Sequence, residues 1–275
     1  MSVMLRTAIG KARRGVSVAA MLVGCRRVPL TKRVRIFRTR LLGADLEAGR
    51  DVVKANLCGV QLEIPASIMT RQITESIRQG SYEACEILAF DEIAEPGDVV
   101  LEVGTGVGFL AAYMAKDRRI RRVASIEANP ELVPVAERTA ALNGVDVDVH
   151  HLAAGREVGN VSFSLHPDFW ASSIETWEGA PTIEVPMRPL DDVIRETGAN
   201  FVVLDIEGLE YSLVPECHFE GVDKMLIELH PWQADETRAK ALFDALERLG
   251  FAHEHRDRWG NVHAVTRSRA CAAVA

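Results

Sequence analysis

The feature that most narrows what this chain can become is the run Val99-Val100-Leu101-Glu102-Val103, followed at once by Gly104-Thr105-Gly106-Val107-Gly108. A run that is apolar but for Glu102, entered through the turn residues Glu95-Pro96-Gly97-Asp98, reads as a strand buried on both faces of a parallel sheet. Glycines at its end let the backbone turn tightly and approach a ligand with no Cβ in the way. An α/β rhythm continues from there. It runs through a helix over Phe109 to Lys116, a strand over Val123 to Ile126, and a helix opened by Asn129-Pro130, with Asn as cap, and ended by Gly144.

Further strands are expected at Val145 to Val149, Val161 to Leu165, Phe201 to Leu204 and Met225 to Leu229, with helices at Leu190 to Glu196 and Ala234 to Leu249. Phe251 to His255 and Val262 to Thr266, about Asp257-Arg258-Trp259-Gly260, read as an antiparallel hairpin. The fold class is therefore α/β, with a Rossmann-like, mainly parallel sheet over 98–275 that ends in an antiparallel hairpin. Ahead of it, residues 45–97 hold the alternating strand Val60 to Ile64 and two helices between Pro65 and Ala94, broken at Gly80, which make a helical extension of the kind that packs over a site as a lid.

Charge divides the chain sharply. Residues 1–44 form a basic arm: positions 1 to 40 carry eleven Lys or Arg and no acid, which leaves 21 basic against 39 acidic residues in the rest. Such an arm suits nucleic acid, an anionic membrane surface or the acidic body of a second copy, as in a homodimer; it equally suits a solvated tail. It also has the composition of an organellar transit peptide, and Val16 to Val23 is too short for the roughly 18 to 20 apolar residues of a membrane span. No transmembrane segment is expected. Five scattered cysteines without a CxxC pair suggest neither a disulfide framework nor a zinc cluster, and point to a reducing, cytoplasmic setting.

The glycine loop is GxGxG; Phe109-Leu110 stand where the dinucleotide fingerprint GxGxxG has its last glycine. Glu102 would repel a pyrophosphate but suits the cationic amino-acid end of S-adenosylmethionine. Nineteen residues beyond Gly108, Glu127 ends the second strand, where a carboxylate can accept both hydroxyls of an adenosine ribose. Glu102, Gly104, Gly106, Gly108 and Glu127 are thus candidate cofactor residues. A second group, Leu204-Asp205-Ile206-Glu207-Gly208-Leu209-Glu210, follows a buried strand and sets acids at its carboxyl edge, with Asp205 facing the transfer centre. A third, Ile227-Glu228-Leu229-His230-Pro231-Trp232, brings a histidine and a tryptophan to the end of another.

These acids and His230 are suited to taking a proton from a nucleophile or holding a divalent cation. Glu207 and Glu210 are equally suited to opening a helix, and His230 to a structural role. His253-Glu254-His255 is the one HxH spacing and HxxE is absent, so nothing supplies a recognisable set of ligands and no metal is expected.

Taken in order, VLEVGTGVGF, IEANP, WASSIETW, VPMRPLDDVI, LDIEGLEYSLV and LIELHPW make the stretch from about Asp98 to Gly250 resemble the FkbM-like family of class I S-adenosylmethionine-dependent methyltransferases. The resemblance implies transfer of a methyl group to oxygen, usually a hydroxyl of a sugar or small metabolite. It implies cofactor contacts at Glu102, Gly104, Gly106, Gly108, Glu127 and Asp205, and a catalytic edge of His230, Asp205 and Glu207. It also implies a covering loop at Ser172 and Ser173. Residues 1–97 have no counterpart in it. The competing readings are an RNA methyltransferase that uses the basic arm, although no aromatic-interleaved basic patch supports nucleic acid, and a noncatalytic binding protein that keeps the fold.

Overall fold

The computed structural model describes residues 44–174, 179–231, 234–256 and 261–267. The basic arm up to residue 43, Trp232 and the turn Asp257 to Gly260 lie outside the described residues.

The described chain opens with a small antiparallel sheet of β1 (Asp45–Ala48), β2 (Val52–Leu57) and β3 (Val60–Pro65). Burial alternates along β2 and β3, as the two-residue pleat requires. Cys58 and Gly59 join them, both at positive φ (51° and 86°), the geometry of a two-residue hairpin turn matched to strand twist. Two helices follow, α1 (Arg71–Gln79) and α2 (Ala84–Ile93), parted at a left-handed Gly80 as the periodicity predicts.

Then come β4 (Asp98–Val103), α3 (Phe109–Ala115), β5 (Ile120–Glu127), α4 (Val133–Asn143), β6 (Asp148–His151), β7 (Ala153–Gly155), β8 (Gly159–Ser164) and β9 (Thr182–Pro189). The remaining elements are α5 (Leu190–Thr197), β10 (Phe201–Leu204), α6 (Glu210–Leu213), β11 (Lys224–Glu228), α7 (Glu236–Arg248), β12 (Ala252–Arg256) and β13 (Val262–Thr266).

Seven strands form the central sheet in the order β12-β13-β11-β10-β4-β5-β6. The five from β11 to β6 are parallel, and β13 and β12 close the sheet antiparallel, as expected for the C-terminal hairpin. The order reverses about β4, whose neighbours are β5 on one side and β10 on the other. A crevice opens at the carboxyl ends of strands at such a switch point.

Three expectations are corrected. Val161 to Leu165 falls in a strand of a separate sheet, β7-β9-β8, because β8 pairs antiparallel with β9 rather than with the central strands. The strand expected at Val145 starts at Asp148, since Gly144 and the residues after it first close off α4. Asn129 does not cap α4: its Oδ1 accepts the N–H of Glu131 at 3.0 Å in a local turn, and the helix starts at Val133.

The pleat sends Val100 and Val203 into a core on one face of the sheet, and Leu101 and Val202 into a core on the other. The first core is completed from the N-terminal side: Leu62 and Ile64 of β3, Ile77 of α1 and Phe90 of α2 share it with Phe109 and Phe201. Phe90 stacks on Phe201 with ring centroids 5.8 Å apart. Among the described residues no helix is long and apolar enough to cross a membrane.

At the amino ends of the strands, buried Lys224 of β11 places its Nζ 2.8 and 2.9 Å from the two carboxylate oxygens of buried Asp98 of β4, and 2.8 Å from Glu95. Asn200 bridges the same group, donating to Asp98 Oδ1 (3.1 Å) and accepting the N–H of Val99 (2.8 Å). Removing Asp98 leaves the buried Lys224 charge only the exposed Glu95 as a partner. Asp98→Ala should therefore cost about 3–5 kcal/mol, read from the urea unfolding midpoint; a loss under about 1 kcal/mol would mean the pair does not fasten the sheet.

Candidate active site

Gly104, Gly106 and Gly108 all have positive φ (91°, 55° and 76°), so the turn after β4 takes a shape that other residues adopt only under strain. Two of them are also short of space. A Cβ on Gly104 would lie 1.9 Å from the carbonyl oxygen of Asp205, and one on Gly108 would lie 2.7 Å from Cα of Ala136 in α4. The loop is thus wedged between the end of β10 and the face of α4.

Glu127, at the end of β5, holds the loop open. Its Oε2 accepts the N–H of Gly106 at 2.7 Å and its Oε1 accepts the N–H of Asn129 at 2.8 Å. Burial lifts its pKa to about 7 against the opposing pull of these backbone N–H groups. Two backbone bonds leave lone pairs on both oxygens, the capacity needed for a pair of ligand hydroxyls.

Glu102 lies differently from what its sequence position suggests. It is buried, its Oε2 accepts the hydroxyl of Ser125 at 2.7 Å, and it is absent from the cavity wall. Burial also raises its pKa to about 7, with Ser125 opposing.

Over the loop lies a cavity of about 610 Å³. Gly104, Gly106 and Glu127 line it, as do Asp205, Glu207 and His230, so seven of the eight candidate residues converge on one region: six in the wall and Gly108 just behind it. Ala154 of β7 and Phe163 of β8 form part of another wall. Tyr82 stacks on Trp170 (centroids 6.0 Å, 24° between planes) and contacts Phe109 (5.7 Å), joining the segment ahead of α2 to the loop after β8. Ser172 lines the cavity and accepts the N–H of His166, while Ser173 donates to the carbonyl of Glu207 at 3.1 Å.

The acidic edge is dense. His230 is 3% exposed; its Nε2 is 3.4 Å from Glu207 and 3.8 Å from Asp205, and its Nδ1 is 3.5 Å from Glu210. Glu210 is fully buried and its Oε1 accepts the N–H of Ile206 at 2.8 Å. Burial alone would lower the His230 pKa, but Glu210 and Glu207 outweigh it and hold the pKa above the ordinary histidine value. Asp205 and Glu228 are raised well above the carboxylate range, by burial first and then by neighbouring carboxylates. Glu207 sits at positive φ (53°), and burial pushes it up to about 7.

Four lining acids escaped the sequence reading: Glu83, Glu86, Asp168 and Glu228. Glu228 was findable, since it stands two residues before His230 on a strand and period two puts both on one face. Glu83 and Glu86 gave no signal. They come from the turn and helix before β4, and Glu83 is held at a left-handed φ of 47°.

A sheet with β4 at its switch point, a glycine loop after it and a carboxylate at the end of β5 define the architecture of the class I S-adenosylmethionine-dependent methyltransferases. A family model described as the methyltransferase FkbM domain matches residues 102–253, and the chain belongs to that family.

The ribosomal protein L11 methyltransferase of Caldicellulosiruptor bescii is 43% identical over 61 residues, 22% of this chain and 20% of the relative. The chain spans about a fifth of the length of the curated relatives it matches. Among solved structures, the tRNA (uracil-54, C5)-methyltransferase of Pyrococcus abyssi, in complex with S-adenosyl-L-homocysteine, aligns at 18% identity and TM-score 0.45 over 80% of this chain and 44% of its own. M. jannaschii TYW2, in complex with AdoMet, aligns at 14% identity and TM-score 0.44 over 80% and 86%.

Gly104→Ala must push back the Asp205 carbonyl. It is expected to cost about 1–3 kcal/mol and to weaken S-adenosylmethionine binding, read by thermal melting and calorimetric titration. Unchanged stability and affinity would refute the close approach.

Proposed function

We propose that the chain transfers the methyl group of S-adenosylmethionine to a hydroxyl of a small metabolite or sugar, with Glu127 and the Gly104–Gly108 loop holding the cofactor and Asp205, Glu207 and His230 forming the catalytic edge. The observation that carries this is the Gly106 N–H bound to Glu127 at the wall of a cavity that also contains all three edge residues. The fit of the cofactor rests on the glycine cradle, closed to any Cβ at two of its three glycines, and on a buried carboxylate with acceptor capacity to spare. When bound, S-adenosylmethionine supplies a methyl carbon already activated by its sulfonium.

What remains for the protein is to align the acceptor oxygen, exclude water and take up the hydroxyl proton. Glu207 is the proton acceptor in this reading, and Asp205 and His230 position the acceptor beside it. Glu102 ties β4 to β5 beneath the loop by accepting the hydroxyl of Ser125. The stacked Tyr82 and Trp170, with Ser172, cover the site, so residues 45–97 act partly as a lid over the domain that starts at 98. A cytoplasmic setting accords with Cys58, Cys85 and Cys217, which are not in disulfides. The carboxylate-rich wall also favours a neutral or cationic acceptor over a polyphosphate such as RNA.

Glu127→Ala should abolish measurable binding of S-adenosylmethionine in calorimetry while leaving the fold intact. In the wild type, affinity should rise about tenfold from pH 6 to pH 8 as the Glu127 carboxylate, with a pKa of about 7, ionises to accept hydroxyls. The ligand-free protein should show the opposite trend. Folded Glu127 and Glu102 keep protons that the unfolded chain gives up from 4.5, so this contribution to stability is present below 4.5 and is lost as the pH passes 7. An affinity independent of pH would remove Glu127 from the hydroxyl contact.

With an acceptor found by screening hydroxylated metabolites, Glu207→Gln should lower turnover by about 10²–10⁴-fold with cofactor affinity kept. Unchanged turnover would exclude Glu207 as the base.

A further inference from the structure

Asp205 follows β10 directly and Glu228 ends the neighbouring parallel strand β11, where Leu204 pairs with Ile227. His230 comes two residues later. Each of the three offers one ligand atom, and these atoms all lie within 4.8 Å of one another. We infer that Asp205, Glu228 and His230 hold a divalent transition-metal ion at the acceptor edge of the cavity.

The donor set, two carboxylates and an imidazole, suits Mn²⁺, Fe²⁺ or Zn²⁺ better than the all-oxygen shells preferred by Mg²⁺ or Ca²⁺. Three observations beyond the acids themselves point to an ion. First, His230 is presented as a ligand would be: its Nε2 faces Asp205 and Glu207, while its Nδ1 stands 3.5 Å from the carboxylate of Glu210. Metal-binding histidines are oriented by such a carboxylate on the far nitrogen. Second, Oδ1 of Asp205, a member of the ligand set, is buried and accepts no hydrogen bond. Third, Glu83, Glu86, Glu127, Asp205, Glu207 and Glu228 all line the cavity, and among the described residues no lysine or arginine does. Carboxylates gathered out of water without a cation are costly.

The ion's binding stands by itself; its role rests on the methyl-transfer reading. A hydroxyl drawn to the cation is acidified and turned toward the cofactor. Its O–H bond breaks with the proton passing to Glu207, the new O–CH₃ bond forms, and the S–CH₃ bond breaks with its electron pair left on sulfur. Asp205 and His230 then contribute as ligands, and Glu210 is a positioning residue that acts through His230.

The test uses the full chain, stripped with a chelator and titrated with MnCl₂ while the signal of free Mn²⁺ is followed by electron paramagnetic resonance, with S-adenosylmethionine binding measured on the same sample. The expected result is one saturable equivalent of Mn²⁺ bound without any acceptor. Asp205→Asn and Glu228→Gln should each weaken it by more than about tenfold, and Glu210→Gln by about 10–100-fold. Asp244→Asn, on exposed helix α7, should leave it unchanged. A wild type that binds S-adenosylmethionine but no Mn²⁺ would overturn the metal site and leave the methyltransferase reading standing; Mn²⁺ binding without S-adenosylmethionine binding would do the reverse. Wild-type Mn²⁺ affinity in folded Asp205→Asn and Glu228→Gln would likewise overturn the site. If either variant fails to fold, the wild-type stoichiometry and the other variant decide.

Discussion

Gly104 and Asp205 leave adjacent parallel strands at the same level of the sheet, and the carbonyl oxygen of Asp205 occupies the space that a side chain at 104 would need. That contact sets the distance between the glycine loop and the acidic edge, and with it the geometry of the cavity. It also explains why the loop turns away from β10 toward β5, where Glu127 receives the N–H of Gly106. A bulkier residue at 104 would separate the two halves of the site, whatever the quality of the individual side chains.

Electrostatically, the two ends of the central sheet are opposites. At the amino ends a lysine, two carboxylates and an asparagine satisfy one another in a compact network. At the carboxyl ends the acids outnumber their partners, and Glu102, Glu127 and Glu207 all ionise near pH 7 because burial opposes their charge. Strongly displaced ionisation at one edge of a cavity is a mark of function rather than of folding.

The parts of this fold legible in the sequence are those with a single physical cause. β4, β10 and β11 are buried on both faces, so each centres on consecutive apolar residues, and Gly80 and Gly144 end helices because only glycine is at ease in the left-handed turn there. β1 stays hidden because it is short and mostly exposed, whereas Val53-Lys54-Ala55-Asn56-Leu57 of β2 alternates as a half-buried strand does and was there to be read. The strand at Val161 was visible, but its partner was not: pairing with β9 joins Val161 to Val185, residues with a loop between them whose pairing no local pattern records. The site shows the same division. Gly104, Gly106, Glu127, Asp205, Glu207 and His230 lie within short motifs and were readable there, whereas Glu83 and Glu86 reach the cavity only through the packing of α2. The motifs also concealed the metal-ligand set, whose members come from two strands and lack any HxH or HxxE spacing.

The Tyr82–Trp170 stack joins two stretches of chain that flank the central sheet motif without belonging to it. Both rings belong to segments whose backbone is free of the sheet's hydrogen-bond ladder, so lengthening either one leaves the strand register untouched. The covering of the site can therefore be rebuilt by insertion, deletion or exchange while the chemistry beneath it stays in place. A change of cover thus needs no change in the fold that carries it.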